Sequence, residues 1–196
     1  NIIKKTKRIA IANKESIICG WGLIQKELKK HKTEFIPVDS EHFSIWSVIS
    51  GHSNSDIEKI ILTASGGPFL NKSIKKNITP SDAINHPNWE MGKKISVDSA
   101  TLMNKIFEII EAKKIFDIEL KKFYILIHPK SYIHAIVKFK NGLIKIVAHD
   151  TNMKIPISNS IYMGERTRNF IKSKKIDLTI LNSLNFQKVN VKKFPV

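Results

Sequence analysis

The chain has 196 residues, enough for one domain with a substantial core, and its apolar (42%) and charged (26%) fractions are ordinary for a globular protein. No uncharged apolar stretch approaches the roughly 18 residues of a membrane helix, and "NIIKKTKRIAIANKES" carries cations where a signal peptide would be apolar. The net charge of +16 raises nucleic-acid binding, but lysine outnumbers arginine 30 to 3 and its pairs run from Lys4-Lys5 to Lys192-Lys193 without forming one stripe, which suits an anionic small substrate better.

Along the chain, "RIAIANKES" predicts a buried strand ending in a polar turn, followed by a helix from about Trp21 to Lys30. "TEFIPVDSEH" is a second extended run, and "FSIWSVISG" a helix ending near Gly51. "IEKIILTASGGPF" is a strand running into a Gly-Gly-Pro loop. "TPSDAINHPNWEMGKK" starts as a short capped helix after Thr79-Pro80 and becomes a loop around His86-Pro87. Ser96 to Phe116 reads as one largely buried helix. "KFYILIHPKSYIHAIVKF", "NGLIKIVAHD" and "DLTILNSLNFQKV" read as further strands, with a hairpin turn at Asn141-Gly142. This alternation predicts an α/β (α+β) fold with helices packed on a mixed sheet. The lone Cys19 reads as a small buried hydrophobe. Both ends of the sequence read as cut.

In "PVDSEH" the side-chain period of an extended segment puts Asp39 and Glu41 on one face. Neighbouring carboxylates repel unless a cation or a shared proton lies between them. Hard divalent ions are held by a few such groups, although a solvated acidic turn explains the pair alone. On the Ser96–Phe116 helix, Leu102, Met103, Ile106, Phe107, Ile109 and Ile110 cover most of the circumference, leaving a strip of Asn104, Lys105 and Glu108. A buried Glu108 needs a partner. It is either a third carboxylate for a cation at Asp39 and Glu41, or the i,i+3 ion-pair partner of Lys105. Asn104 and Lys105 could serve an anion beside that cation. Ser99 stands at an N-cap position, where a phosphate is also favoured, or it merely caps. Ser65 in "TASGGPF" adds a hydroxyl to a loop whose glycines let backbone N–H groups approach an anion, unless the loop is only a turn. His86, Trp89 and Met91 lie on a segment suited to a mobile lid, or Trp89 packs on the core. Lys14 reaches into a cleft or faces water.

In their order and spacing, "IANKES", "IPVDSEH", "LTASGGPF", "HPNWEMGKKISVDSATLMNK", "EIIEA" and "IHPKSYIHAIV" resemble the 1-deoxy-D-xylulose 5-phosphate reductoisomerase family of the non-mevalonate isoprenoid pathway. Within that resemblance, Ile106-Phe107 replaces a usual Gly-Leu, and "AHDTNMKIPI" stands where the family reads "G.PDMR.PI". It implies Asp39, Glu41 and Glu108 as ligands of Mg²⁺, Mn²⁺ or Co²⁺. It further implies Ser65, His86, Ser99, Asn104 and Lys105 as holders of a phosphorylated sugar, with Glu41 and Glu108 also touching it. Ser40 and Lys14 would lie near its reacting oxygens, and Lys14, Glu41 and Glu108 would be the catalytic groups. Asn13, Glu15 and Gly92 would touch NADPH, and Trp89 and Met91 would belong to the lid.

The same resemblance divides the chain. Residues 1–20 would be the last strand and turn of an NADPH-binding domain whose glycine-rich fingerprint is not in this sequence. Residues 21–150 would be the catalytic metal- and substrate-binding domain, and 151–196 a segment leading to a C-terminal helical domain. The expectation is an NADPH-dependent oxidoreductase/isomerase of the bacterial cytoplasm, a homodimer, with no nucleic-acid or membrane partner, and inactive as a segment without its NADPH domain. The rivals are a basic nucleic-acid-binding module and a non-catalytic remnant of the enzyme.

Overall fold

The computed structural model of the chain describes residues 2–71, 78–162 and 184–194, together with 171, 179 and 182. It begins with β1 (Arg8–Ala10), α1 (Lys14–His31) and β2 (Glu34–Ile36), the two strands pairing in parallel. Asn13 starts α1 early: its Oδ1 accepts the Ser16 N–H at 2.8 Å. "NKES" is therefore a first helical turn and not a polar turn, and the helix begins at Lys14 instead of Trp21. β1 is mostly exposed, because its two-stranded sheet is covered on one side only, by α1. There Ile17, Trp21 and Leu28 pack with Ile9 and Phe35, the Trp21 ring lying 5.0 Å edge-on from Phe35. Cys19 is exposed, against expectation, since it projects from the other side of this helix.

The next helix, α2 (Ser40–Ile49), also starts before its predicted point. Asp39 is its N-cap and accepts the Glu41 N–H at 3.2 Å. Asp39 and Glu41 are thus not alternate residues of an extended segment. A cap and a first turn bring them together.

The mixed sheet contains β3 (Ile57–Ala64), β4 (Phe123–Ile127), β5 (Ile133–Phe139), β6 (Ile144–Ala148) and β7 (Gln187–Lys188), in the order β6-β5-β3-β4-β7. β3 runs parallel to β4, and the remaining pairs are antiparallel. The fold is α/β, as the sequence implies. Gly142, at φ +88°, turns β5 into β6. Of the strand predicted over "DLTILNSLNFQKV", only Gln187–Lys188 is a strand among the described residues; much of that stretch lies outside them. Helices α3 (Pro80–Ile84), α4 (Lys93–Ala100) and α5 (Met103–Phe116) lie between β3 and β4 in the chain, and α6 (Lys154–Ile161) follows β6.

The main core lies where α2 and α5 cover β3 and β5. It joins Ile45 and Val48 to Ile57, Ile60 and Leu62, to Ala135, Val137 and Phe139, and to Ala112. Each fully buried aliphatic side chain contributes about 1.5–3 kcal/mol. That rigid base fixes the carboxyl end of β3, from which Ser65 emerges.

The single helix predicted over Ser96–Phe116 is two. Leu102 takes a left-handed conformation (φ +63°), and its N–H turns back to the Ser99 carbonyl at 3.3 Å. Such a conformation costs a non-glycine residue about 1–2 kcal/mol. Burial of the Leu102 side chain with Ala64, Leu70 and Ile127 offsets it. The local cause is packing, which helical periodicity does not register.

Candidate metal and anion site

The break at Leu102 aims the first turns of α5 inward. Asn104, Lys105, Glu108 and Glu111 are all buried, Glu108 and Glu111 at 1% exposure, whereas Ile106 is 43% exposed. The polar strip is the face this helix hides.

Opposite that strip stand the first turns of α1 and α2. One ligand atom from each of Asp39, Glu41 and Glu108 lies within 4.8 Å of the others. Three hard carboxylate oxygens at that separation fit one hard divalent ion. Two ammonium groups thread the same cluster. Lys105 Nζ bridges Glu41 and Glu108, with Glu108 Oε2 at 2.5 Å. Lys14 Nζ donates to Asn104 Oδ1 at 2.8 Å, and lies 3.8 Å from Asp39, 3.7 Å from Glu108 and 4.0 Å from Glu111. Asn104 in turn donates to Glu108, and Ser40 to Glu41.

The electrostatics follow from crowding four carboxyl groups with two amines. Burial, and then the Glu41 charge, push Glu108 up to about 8 against the pull of Lys105. Burial pushes Glu111 up to about 7, with Asp39 and Glu108 adding to it. Burial raises Glu41 too, but the paired Lys105 ammonium outweighs it and holds that carboxyl below the usual range. Both lysines lose hydration by burial, yet their carboxylate neighbours win and keep them charged. A divalent ion would thus meet a site that holds excess protons at neutral pH.

The anion-competent groups line the same cleft: Ser65, His86, Ser99, Asn104 and Lys105. His86 Nδ1 accepts the N–H groups of Asn88 at 3.2 Å and Trp89 at 3.0 Å. Its Nε2 therefore carries the proton and donates to Ser65 Oγ at 2.8 Å. That oxygen also accepts the Gly67 N–H at 3.0 Å, so its own hydroxyl proton is left for a ligand. Burial, and then Lys105, lower the His86 pKa and keep the ring neutral. Gly67 (φ +65°) lets its loop close on α4, since a Cβ there would lie 2.9 Å from the Ser99 carbonyl oxygen. Ser99 faces the cleft from the last turn of α4. It is not the N-cap of the helix bearing Glu108, because the break at Leu102 intervenes.

Trp89 and Met91 line the cleft from the segment between α3 and α4, with the Trp89 ring 5.8 Å from His134. Asn13, Glu15 and Gly92 line a neighbouring groove that shares Ala12, Lys14 and Ile95 with the cleft. Lys94 spans it, pairing with Glu15 at 2.8 Å and Asp98 at 2.8 Å. Every site residue named from the sequence thus borders one of two adjoining concavities.

Five polar residues went unnamed. Thr63, Glu90, Ser131 and His134 also line the cleft, and Glu111 stands behind Lys14. His134 is driven down to about 3 by burial and is neutral. A histidine inside the apolar run "YIHAIV" was a usable signal for His134.

Comparison with known proteins points to one family. Residues 35–116 match the family model for the 1-deoxy-D-xylulose 5-phosphate reductoisomerase C-terminal domain. The reductoisomerase of that name from Pelagibacter ubique (strain HTCC1062) is 64% identical over 100% of this chain and 50% of its own length. That from Wolbachia pipientis wMel is 47% identical over 97% of this chain and 49% of its own. Among solved structures, the enzyme from Zymomonas mobilis in complex with NADPH superposes with a TM-score of 0.85 at 38% identity, covering 98% of this chain and 50% of that one. A DOX-P reductoisomerase in complex with NADPH, fosmidomycin and magnesium gives 0.87 at 39% identity, with the same coverage. The chain spans about half the length of the curated relatives it matches.

Proposed function

Because the chain belongs to the 1-deoxy-D-xylulose 5-phosphate reductoisomerase family, we propose that it supplies the metal- and substrate-binding half of an NADPH-dependent conversion of 1-deoxy-D-xylulose 5-phosphate to 2-C-methyl-D-erythritol 4-phosphate, in non-mevalonate isoprenoid synthesis. The observation that carries this reading is the meeting of Asp39, Glu41 and Glu108 beside a second group of anion-binding side chains.

Asp39, Glu41 and Glu108 hold Mg²⁺, Mn²⁺ or Co²⁺, which when bound polarises adjacent carbonyl and hydroxyl oxygens of the substrate, while NADPH supplies hydride. Ser65, His86, Ser99, Asn104 and Lys105 take the phosphate. That group is remote from the reacting bonds, so its binding energy can orient them. Lys14 and Ser40 stand at the reacting oxygens, where Lys14 donates a hydrogen bond to developing negative charge. Trp89 and Met91 close over the substrate and exclude water. Asn13, Glu15 and Gly92 border the nicotinamide side, in the groove adjoining the cleft.

Residues 1–20 finish the NADPH domain, 21–150 form the catalytic domain, and 151–196 lead onward; α1 crosses the first junction as one continuous helix. The protein works as a homodimer in the bacterial cytoplasm, without nucleic acid or membrane. In support of the dimer, β6 is an edge strand among the described residues and exposes Ile144 and Ile146; no helix of the described residues is long and apolar enough to cross a membrane.

The test is calorimetric titration of the chain with 1-deoxy-D-xylulose 5-phosphate in saturating Mg²⁺. Binding is expected, and Ser65→Ala should weaken it about tenfold, or about 1.4 kcal/mol. No substrate binding in the presence of the metal would overturn the reading.

A further inference from the structure

Glu111 is a buried carboxylate with no place in the metal triad or in the anion group. It lies at 1% exposure on α5, one turn beyond Glu108 on the same face. Its Oε2 makes no hydrogen bond, and Lys14 Nζ lies 4.0 Å from it. A carboxylate so far from water is costly unless it does something for a neighbour.

The neighbour is Lys14, which touches three carboxylates: Asp39, Glu108 and Glu111. Two of them belong to the triad. A divalent ion there would withdraw their attraction from the amine and add its own repulsion. Asn104 Oδ1 would remain as a neutral acceptor at 2.8 Å. Glu111 would then be the one anion of this group still facing Lys14. We propose that Glu111 is the positioning residue that retains the Lys14 ammonium at the reaction site once a divalent cation has taken Asp39 and Glu108. The inference rests on the metal site proposed above and adds a residue outside it.

Amine acylation followed by mass spectrometry of the Lys14 peptide tests it on the full chain, with and without saturating Mg²⁺. In Glu111→Gln, Lys14 should be acylated at least fivefold faster than in the unsubstituted chain when Mg²⁺ is present, and at an equal rate without it, because Asp39 and Glu108 then still hold the amine. Glu111→Asp, which keeps the charge, should fall between the two in Mg²⁺. Mn²⁺ affinity of Glu111→Gln should stay within about threefold of the unsubstituted chain. Unchanged labelling, labelling raised equally without metal, or an Mn²⁺ affinity reduced tenfold or more would each overturn the assignment. Absence of saturable Mn²⁺ binding to the unsubstituted chain would instead remove the metal site, and this inference with it.

Discussion

His86 shows how much of this site depends on one proton. Its ring must be neutral for Nδ1 to accept the Asn88 and Trp89 N–H groups, and burial with Lys105 lowers its pKa accordingly. A histidine whose folded pKa is depressed stabilises the fold fully above its ordinary value of about 6.5, and that contribution is lost as pH falls below it. We therefore expect the Asn88 and Trp89 amide resonances to shift between pH 7.5 and 5, with no such change in His86→Gln; pH-independent resonances would contradict this. Glu108 carries the opposite sign. Its carboxyl, raised to about 8, holds a proton that a metal must displace. Mn²⁺ affinity should rise with pH from about 6 to 8 and then level off, with proton release seen as a buffer-dependent heat of binding. At this scale the triad was legible because acidic residues in apolar or paired settings demand a partner. Glu111 was not, since a glutamate two residues before Lys113-Lys114 reads as a solvated ion-pairing group.

Among the elements, most of the strands and the short helix after Thr79-Pro80 followed from β-branched runs and capping chemistry. Helix starts and the break at Leu102 did not. Asn13 and Asp39 both cap helices that apolar periodicity alone begins several residues later, because Lys14, Ser40 and Glu41 in their first turns face a charged cleft and not a hydrocarbon core. The inversion of α5, with Ile106 outside and Glu108 inside, has the same origin. The junction of α4 with the Ser65–Gly67 loop can be tested directly. Gly67→Ala places a methyl 2.9 Å from the Ser99 carbonyl oxygen at a positive φ, and should cost about 1–3 kcal/mol in urea unfolding. A stability equal to that of the unsubstituted chain would show that this contact is loose.

For the whole molecule, the α/β mixed sheet was legible from alternation alone, but its order was not, because pairing partners are set by tertiary packing. The chain spans about half of its relatives, and Asn13, Glu15 and Gly92 border a single groove. The 196 residues should accordingly bind metal yet consume little NADPH with 1-deoxy-D-xylulose 5-phosphate, followed by absorbance; robust turnover would contradict that division of labour. The central proposal is more local: two carboxylates from the start of α2 and one from the buried face of α5 gather one divalent ion. Calorimetric titration with Mn²⁺ tests it most directly. One ion should bind per chain, and Glu108→Gln should weaken it at least tenfold, about 1.4 kcal/mol. An unchanged isotherm in Glu108→Gln would contradict the account.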